Sequence, residues 1–177
     1  YAGLFAEQGD FDIPSNFSVG FAWTPVKSLT LAVDYMRINY TDVAAVSNPV
    51  SNLLVNGQPL GADNGPGFGW DDQDVWKVGL KYTLSKKLSL MAGYNYGKSP
   101  INGDDLGEVL FNILAPATVE KHVTLGMKYT FASGGELTVT YMHAFENSIS
   151  GADPLFGGTD TIQMYQNSLG VAYGWKL

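Results

Sequence analysis

The stretch Val75-Trp-Lys-Val-Gly-Leu-Lys-Tyr-Thr-Leu84, followed after three residues by Leu88-Ser-Leu-Met-Ala-Gly-Tyr-Asn-Tyr-Gly97, decides the fold. In the first run Trp76, Val78, Leu80 and Tyr82 alternate with Lys77, Gly79 and Lys81. In the second Leu88, Leu90, Ala92, Tyr94 and Tyr96 alternate with Ser89, Met91, Gly93, Asn95 and Gly97. A period of two places one set on each face of a strand. The short Ser-Lys-Lys connection makes the pair an antiparallel hairpin.

The same alternation recurs at residues 16–24, 29–40, 136–145 and 168–177, and in a run ending at Phe131, which predicts seven strands. The connections alternate in length. Those at 25–28, 85–87 and 132–135 are tight, whereas those at 41–74, 98–118 and 146–160 are long. Short turns at one end and long loops at the other are the habit of outer-membrane barrels.

Alternation alone also suits a soluble sandwich or a lipocalin-like barrel. Two finer features favour the membrane. The apolar face is sorted by depth: Trp23, Tyr82, Tyr129, Phe131, Tyr173 and Trp175 lie beside the short turns. Phe17, Tyr35, Trp76, Tyr94, Tyr96, Tyr141 and Phe145 lie towards the long loops, with Leu31, Val33, Val78, Leu80, Leu125, Val139 and Val171 between. A buried core has no reason to sort in this way, but two interfacial aromatic belts do. The opposite face carries Gly, Ser, Thr, Asn and Lys, which reads as a wet lumen.

Composition agrees. Charged residues are 15% of the 177, with 21 glycines and no cysteine, which excludes disulfides and thiol chemistry. No uncharged apolar run reaches the roughly 18 residues that a transmembrane helix needs. A net charge of −7 argues against nucleic acid as a partner. All but three of the 17 Asp and Glu (Asp34, Glu120 and Glu136) lie in residues 1–15 and the long loops, where Lys98 is the sole base. Seven is odd where bacterial barrels are even, and lipid cannot satisfy an open sheet edge. Residues 1–15 therefore read as the tail of another long loop. Residues 1–177 are expected to be the C-terminal part of one larger barrel.

Four motifs carry a family likeness. Gly3-Leu-Phe-Ala-Glu-Gln-Gly-Asp-Phe-Asp-Ile-Pro14, Gly69-Trp-Asp-Asp72, Gly93-Tyr-Asn-Tyr-Gly-Lys-Ser-Pro-Ile101 and Phe111-Asn-Ile-Leu-Ala-Pro-Ala117 resemble the long-chain fatty-acid and toluene uptake proteins (FadL/TodX) of Gram-negative outer membranes. The resemblance implies an all-β antiparallel barrel of 14 strands, plugged by an N-terminal hatch, of which this chain holds the last seven. It also implies passive passage of hydrophobic small molecules, either fatty acids or aromatic hydrocarbons. Ser168-x-Gly170-x-x-Tyr173-x-Trp175 resembles the signal read by the barrel-assembly machinery, although Lys176-Leu177 follow where an aromatic terminus is usual.

Several residues are candidates for chemistry. Burying a carboxylate requires a charged or donor partner, and Lys77, on the lumen face near the outer end of its strand, leads for that contact. Arg37 is aimed outward by strict alternation, but Met36, Ile38 and Tyr40 suggest a face switch, and a bulge near Tyr35 would bring it inward. His122 and Met91 face the lumen as further substrate-path residues. His143 points to the lipid side, and with no carboxylate at ligand spacing beside either histidine a metal pair is not expected. Asp71, Asp72 and Asp74 form the densest acidic cluster, a candidate Ca²⁺ or Mg²⁺ bridge to lipopolysaccharide. No cofactor is expected. The rival readings are a general porin for polar solutes, which would need rings of charge, and a hydrolase built on His143 with Glu146 or Ser148, which lacks a third orienting group. The expectation is a non-enzymatic transporter in the Gram-negative outer membrane, in contact with its lipid.

Overall fold

The computed structural model describes residues 3–175 as one seven-stranded antiparallel sheet. Its strands run in chain order: β1 (Ser15–Val26), β2 (Leu29–Asn39), β3 (Gln73–Thr83), β4 (Leu88–Gly97), β5 (Lys121–Thr130), β6 (Glu136–Ala152) and β7 (Thr159–Gly174). Helix is confined to segments of three or four residues within the connections. No helix among the described residues is long and apolar enough to cross a membrane.

The register carries the depth sorting across the sheet. Phe21, Val33, Val78, Tyr94 and Val123 form one outward row, and Leu31, Leu80, Ala92, Leu125, Tyr141 and Leu169 the next. Much of this surface is bare: Phe21 is 70% exposed, Leu125 54% and Leu169 74%. An apolar face this bare is paid for only by lipid. Aromatic rings line both ends of it. At the short-turn end Tyr129, Phe131, Tyr173 and Trp175 follow one another at 4.9–6.1 Å. At the other end Phe17, Tyr35 and Trp76 do so at 5.9 and 4.8 Å. The chain is an all-β antiparallel portion of a transmembrane barrel. Lys176 and Leu177, which follow the C-terminal motif, lie outside the described residues.

Two sequence expectations need correction. The connection expected at 146–160 is mostly strand, because β6 runs on to Ala152 and β7 starts at Thr159. The register shifts between Ala144 and Asn147, so two residues of β6 stand opposite one of β7. This bulge exchanges the faces of β6: Ala144 points inward, and beyond the bulge Asn147 and Ile149 do. The second correction concerns Arg37. Pairing is unbroken from Ser15↔Asn39 to Trp23↔Leu31 and from Leu29↔Tyr82 to Ile38↔Gln73, so no bulge lies near Tyr35. Arg37 stays on the outward face with Tyr35. Met36, read as a sign of a face switch, is an inward residue opposite the buried Val75.

The long connections fold over the outer end of the inner face as a cap with its own apolar core. Phe5, fully buried, stacks 4.4 Å from Phe68 beside Ala45. A second cluster joins Ile101 and Val109 to Ile162 of β7, with Ile149 of β6 against it, and Trp70 touches both clusters. The extended β6–β7 hairpin is thus the wall on which the cap rests. Contact there is so close that a Cβ on Gly151 would lie 2.7 Å from Gly103 O and from Val109 Cγ2.

Candidate functional site

Register also assembles the polar side of the sheet. Asp34, Lys77, Asn95 and His122 are successive Cα partners on β2, β3, β4 and β5, forming one polar rung across the inner face. Asn95 Nδ2 and His122 Nδ1 are 3.3 Å apart. Below this rung the lining is small: Ala32, Gly79, Gly93 and Thr124 are again consecutive partners. Met91 lies lower still, against Gly126, where an added Cβ would come within 3.4 Å of it. The structure therefore places Lys77, His122 and Met91 on the inner face. It also brings beside Lys77 a carboxylate, Asp34, that its strand neighbours in sequence do not reveal.

Between the rung and the cap lies a pocket of about 260 Å³. Its floor is Asn95, His122, Gln73, Val75 and Gly97, and its roof and sides are Tyr40, Trp70, Pro100, Ala117, Val119 and Glu120. Tyr40 and Trp70 meet edge to face at 5.0 Å. Burial pushes the Tyr40 phenol above its ordinary pKa, so it stays neutral. The Trp70 indole is fixed by donating from Nε1 to Asn112 Oδ1 at 2.6 Å. Asn112, itself fully buried, donates from Nδ2 to Phe68 O and Glu108 O. A larger apolar groove, of about 670 Å³ around Leu80, Ala92, Leu125 and Tyr141, belongs mostly to the outward face, where the short Ala92 leaves a gap in the row. In a membrane that gap is filled by acyl chains, and the capped pocket is the better candidate for a selective site.

Glu108 is the chemical anomaly of the cap. It is fully buried, its Oε1 accepts the Asn102 N–H at 2.9 Å, and its Oε2 has no partner. The carboxyl lies against the backbone of Gly69, whose φ of +75° and missing Cβ make room for it. Desolvation, with lesser contributions from Asp105 and Asp71, pushes its pKa up to about 8, so it is held as the neutral acid.

The acidic cluster does not behave as a metal site. Asp72 Oδ1 accepts from the Thr41 backbone N–H and hydroxyl at 3.0 and 2.8 Å, and Oδ2 pairs with Arg37 Nη2 at 2.8 Å. The Thr41 backbone N–H foremost, then its hydroxyl and Arg37, hold Asp72 below the usual carboxylate range. Asp74 faces outward opposite Arg37 and is paired with it. Arg37 thus pairs with two of the three carboxylates of the cluster, from the outward face of the sheet. Among the described residues no group of three or more His, Cys, Asp or Glu could hold a metal ion. His143, on the outward face, binds Asn167 Oδ1 through Nδ1 at 2.8 Å, and the Tyr141 hydroxyl donates to that oxygen at 2.6 Å. An amide stands where a catalytic triad would set a carboxylate. Of the Ser168-x-Gly170-x-x-Tyr173-x-Trp175 motif, Ser168 and Gly170 face inward and Tyr173 and Trp175 belong to the aromatic belt.

A family model for Gram-negative porins matches residues 1–174. No curated protein matches the chain. Among solved structures, the deltaS2 mutant of the TodX monoaromatic hydrocarbon channel is similar with a TM-score of 0.62 and 19% identity, over 90% of this chain and 35% of its own. The deltaS2S3 mutant of the same channel gives 0.62 and 20%, over 93% and 36%. A Pseudomonas aeruginosa FadL homologue gives 0.60 and 14%, over 92% and 35%. The chain spans about a third of the length of these neighbours, and at such identities the likeness is one of fold.

Proposed function

The chain belongs to the Gram-negative porin family, a family of the outer membrane, and we propose that it is the C-terminal part of a 14-stranded barrel that passes hydrophobic small molecules by binding and passive diffusion. The observation that carries this reading is the cap. Its aromatic core closes over the outer end of the inner face and leaves one small, partly apolar pocket there. A general porin for polar solutes needs an open, charge-ringed lumen, and the inner face below the polar rung is small and sparsely charged. Its structural neighbours, a monoaromatic hydrocarbon channel and a FadL homologue, support the same choice.

Strand edges at β1 and β7 require further strands to close the wall, since lipid offers no partners for their backbone groups. In this reading the outward aromatic belts anchor the barrel in outer-membrane lipid. The Ser168-x-Gly170-x-x-Tyr173-x-Trp175 motif serves the assembly machinery. Lys77 remains the inner-face cation nearest the outer end that is available to a fatty-acid carboxylate, with Asp34 its competitor across the strand pair. Uptake assays with the full-length barrel in liposomes test the function. Selective passage of toluene or a long-chain fatty acid over sugars of similar size is expected, and equal passage of both classes would restore the general porin.

A further inference from the structure

We propose that the pocket beneath the cap is a binding site for a neutral molecule about the size of one aromatic ring that carries a hydroxyl, and that it rejects carboxylates. The proposal rests on the transport reading above and narrows the ligand class at that site.

Size comes first. A closed apolar cavity of roughly 150 Å³ already accepts benzene, and this pocket of about 260 Å³ leaves room for one ring with a short substituent. A chain of fatty-acid length would have to extend beyond it. The walls suit a ring: Tyr40 and Trp70 present aromatic surfaces, and Val75, Pro100, Ala117 and Val119 are apolar.

Charge comes second. Among the lining residues Glu120 is the one carboxylate, and none is Lys or Arg. An anionic ligand would lose its hydration and meet a like charge with no cation to offset either. Lys77 lies on the rung beside Asn95 but is not part of the lining.

Hydrogen-bonding capacity comes third. The Trp70 indole N–H is spent on Asn112, whereas the Asn95 and Gln73 amides use one N–H each, on His122 and on Lys98 O at 2.8 Å. Acceptors are left over as well. Asn95 Oδ1 is buried with no partner. Glu120 uses Oε1 for the Ser99 N–H at 2.9 Å, and among the described residues no donor reaches its Oε2. A buried acceptor left unpaired is costly, so a ligand that brings a donor gains what a pure hydrocarbon cannot. With Nδ1 accepting from Asn95, His122 carries its proton on Nε2 and can serve the lone pairs of the same hydroxyl.

The test compares benzyl alcohol, toluene and benzoate, three ligands on one ring, by equilibrium binding to the full-length barrel in detergent at pH 7. Benzyl alcohol is expected to bind about threefold to tenfold tighter than toluene, the worth of one net hydrogen bond. Benzoate is expected to bind more than about tenfold weaker than the alcohol. Asn95→Leu should bring the alcohol level with toluene, and Glu120→Gln, which keeps an acceptor for Ser99, should improve benzoate. Benzoate binding as tightly as the alcohol in the wild type overturns the proposal. So does a preference for the alcohol that survives Asn95→Leu. Liposome uptake separates the two readings: binding in the expected order without passage refutes transport alone, whereas passage without that order refutes this site alone.

Discussion

Arg37 and Asp74 face each other across β2 and β3 on the lipid side of the sheet, with Arg37 Nη1 3.1 Å from both carboxylate oxygens. The Tyr35 hydroxyl donates to Asp74 Oδ1 at 2.6 Å, so an aromatic belt residue and an ion pair share one acceptor at the outer rim. The Arg37 side chain is 34% exposed and that of Asp74 49%, and solvent screens such a pair. Arg37→Ala is therefore expected to change stability little and to leave uptake unchanged. Thermal unfolding in detergent beside a liposome assay checks both, and a selective loss of fatty-acid uptake would put Arg37 back in the substrate path.

The two faces of the sheet make opposite demands on a new charge. Leu80 lies in the outward row of Leu31 and Leu125, near mid-depth, whereas Thr140 lies inward between Gly126 and Gly170. Leu80→Arg should cost about 2–4 kcal/mol and block stable insertion. Thr140→Arg should fold. Heat-modified mobility on gels reports folding of each variant, and equal behaviour of the two would invert the faces assigned here.

Glu108 gives the cap a pH dependence whose sign is fixed by its burial. Its pKa is about 8 in the closed cap against an ordinary 4.5, so the closed form binds the extra proton. The stabilisation is whole below about pH 4.5 and is lost as pH rises through 8. Each unit in that window shifts the opening equilibrium by roughly tenfold. Proteolysis of the cap in the full-length barrel should accelerate from pH 6 to 9, after correction for the protease's own profile. Glu108→Gln should flatten the trend, and an unchanged trend would exclude Glu108 as its source.

The cap's seat on the hairpin is tested by one methyl group. Gly151→Ala would press into Gly103 O and Val109, each 2.7 Å from the new atom. Overpacking of this kind costs about 1–3 kcal/mol, and it should appear as faster exchange of cap amides with the sheet unaffected. Uniform destabilisation of the sheet would mean that cap and wall unfold as one unit.

What the sequence disclosed follows from what period-two alternation can encode. β4 is found at 88–97 as expected, and β2, β3 and β5 lie within two residues of expectation, because their parity is unbroken and their faces differ sharply. The upper part of the β6–β7 hairpin was hidden, since its bulge reverses the parity by which it would be recognised. Arg37 was ambiguous because apolar residues on both sides of its strand have separate reasons, lipid outside and the capped interior inside. The pocket was not legible at all. Tyr40 and Trp70 come from the β2–β3 connection and Pro100 and Glu120 from the β4–β5 connection, and they meet through tertiary packing that no local pattern records. One weak sign existed: Phe5, Phe68 and the Ala44–Val46 run are apolar residues in connections whose surroundings are polar, which points to a core outside the sheet.

The bulge between Ala144 and Asn147 also bears on how this protein can change length. Below it β6 presents Thr138 and Thr140 to the interior; above it the strand presents Ile149, which meets the cap. Removing one residue there, Phe145 or Glu146, would set one residue opposite one, restore simple alternation and leave Asn147 and Ile149 on the inner face. Removing one residue higher in the segment, with the bulge kept, would instead turn everything beyond it to the opposite face. The bulge is thus a place where the outer part of this hairpin can lose a single residue without exchanging what it shows to the cap and what it shows to lipid.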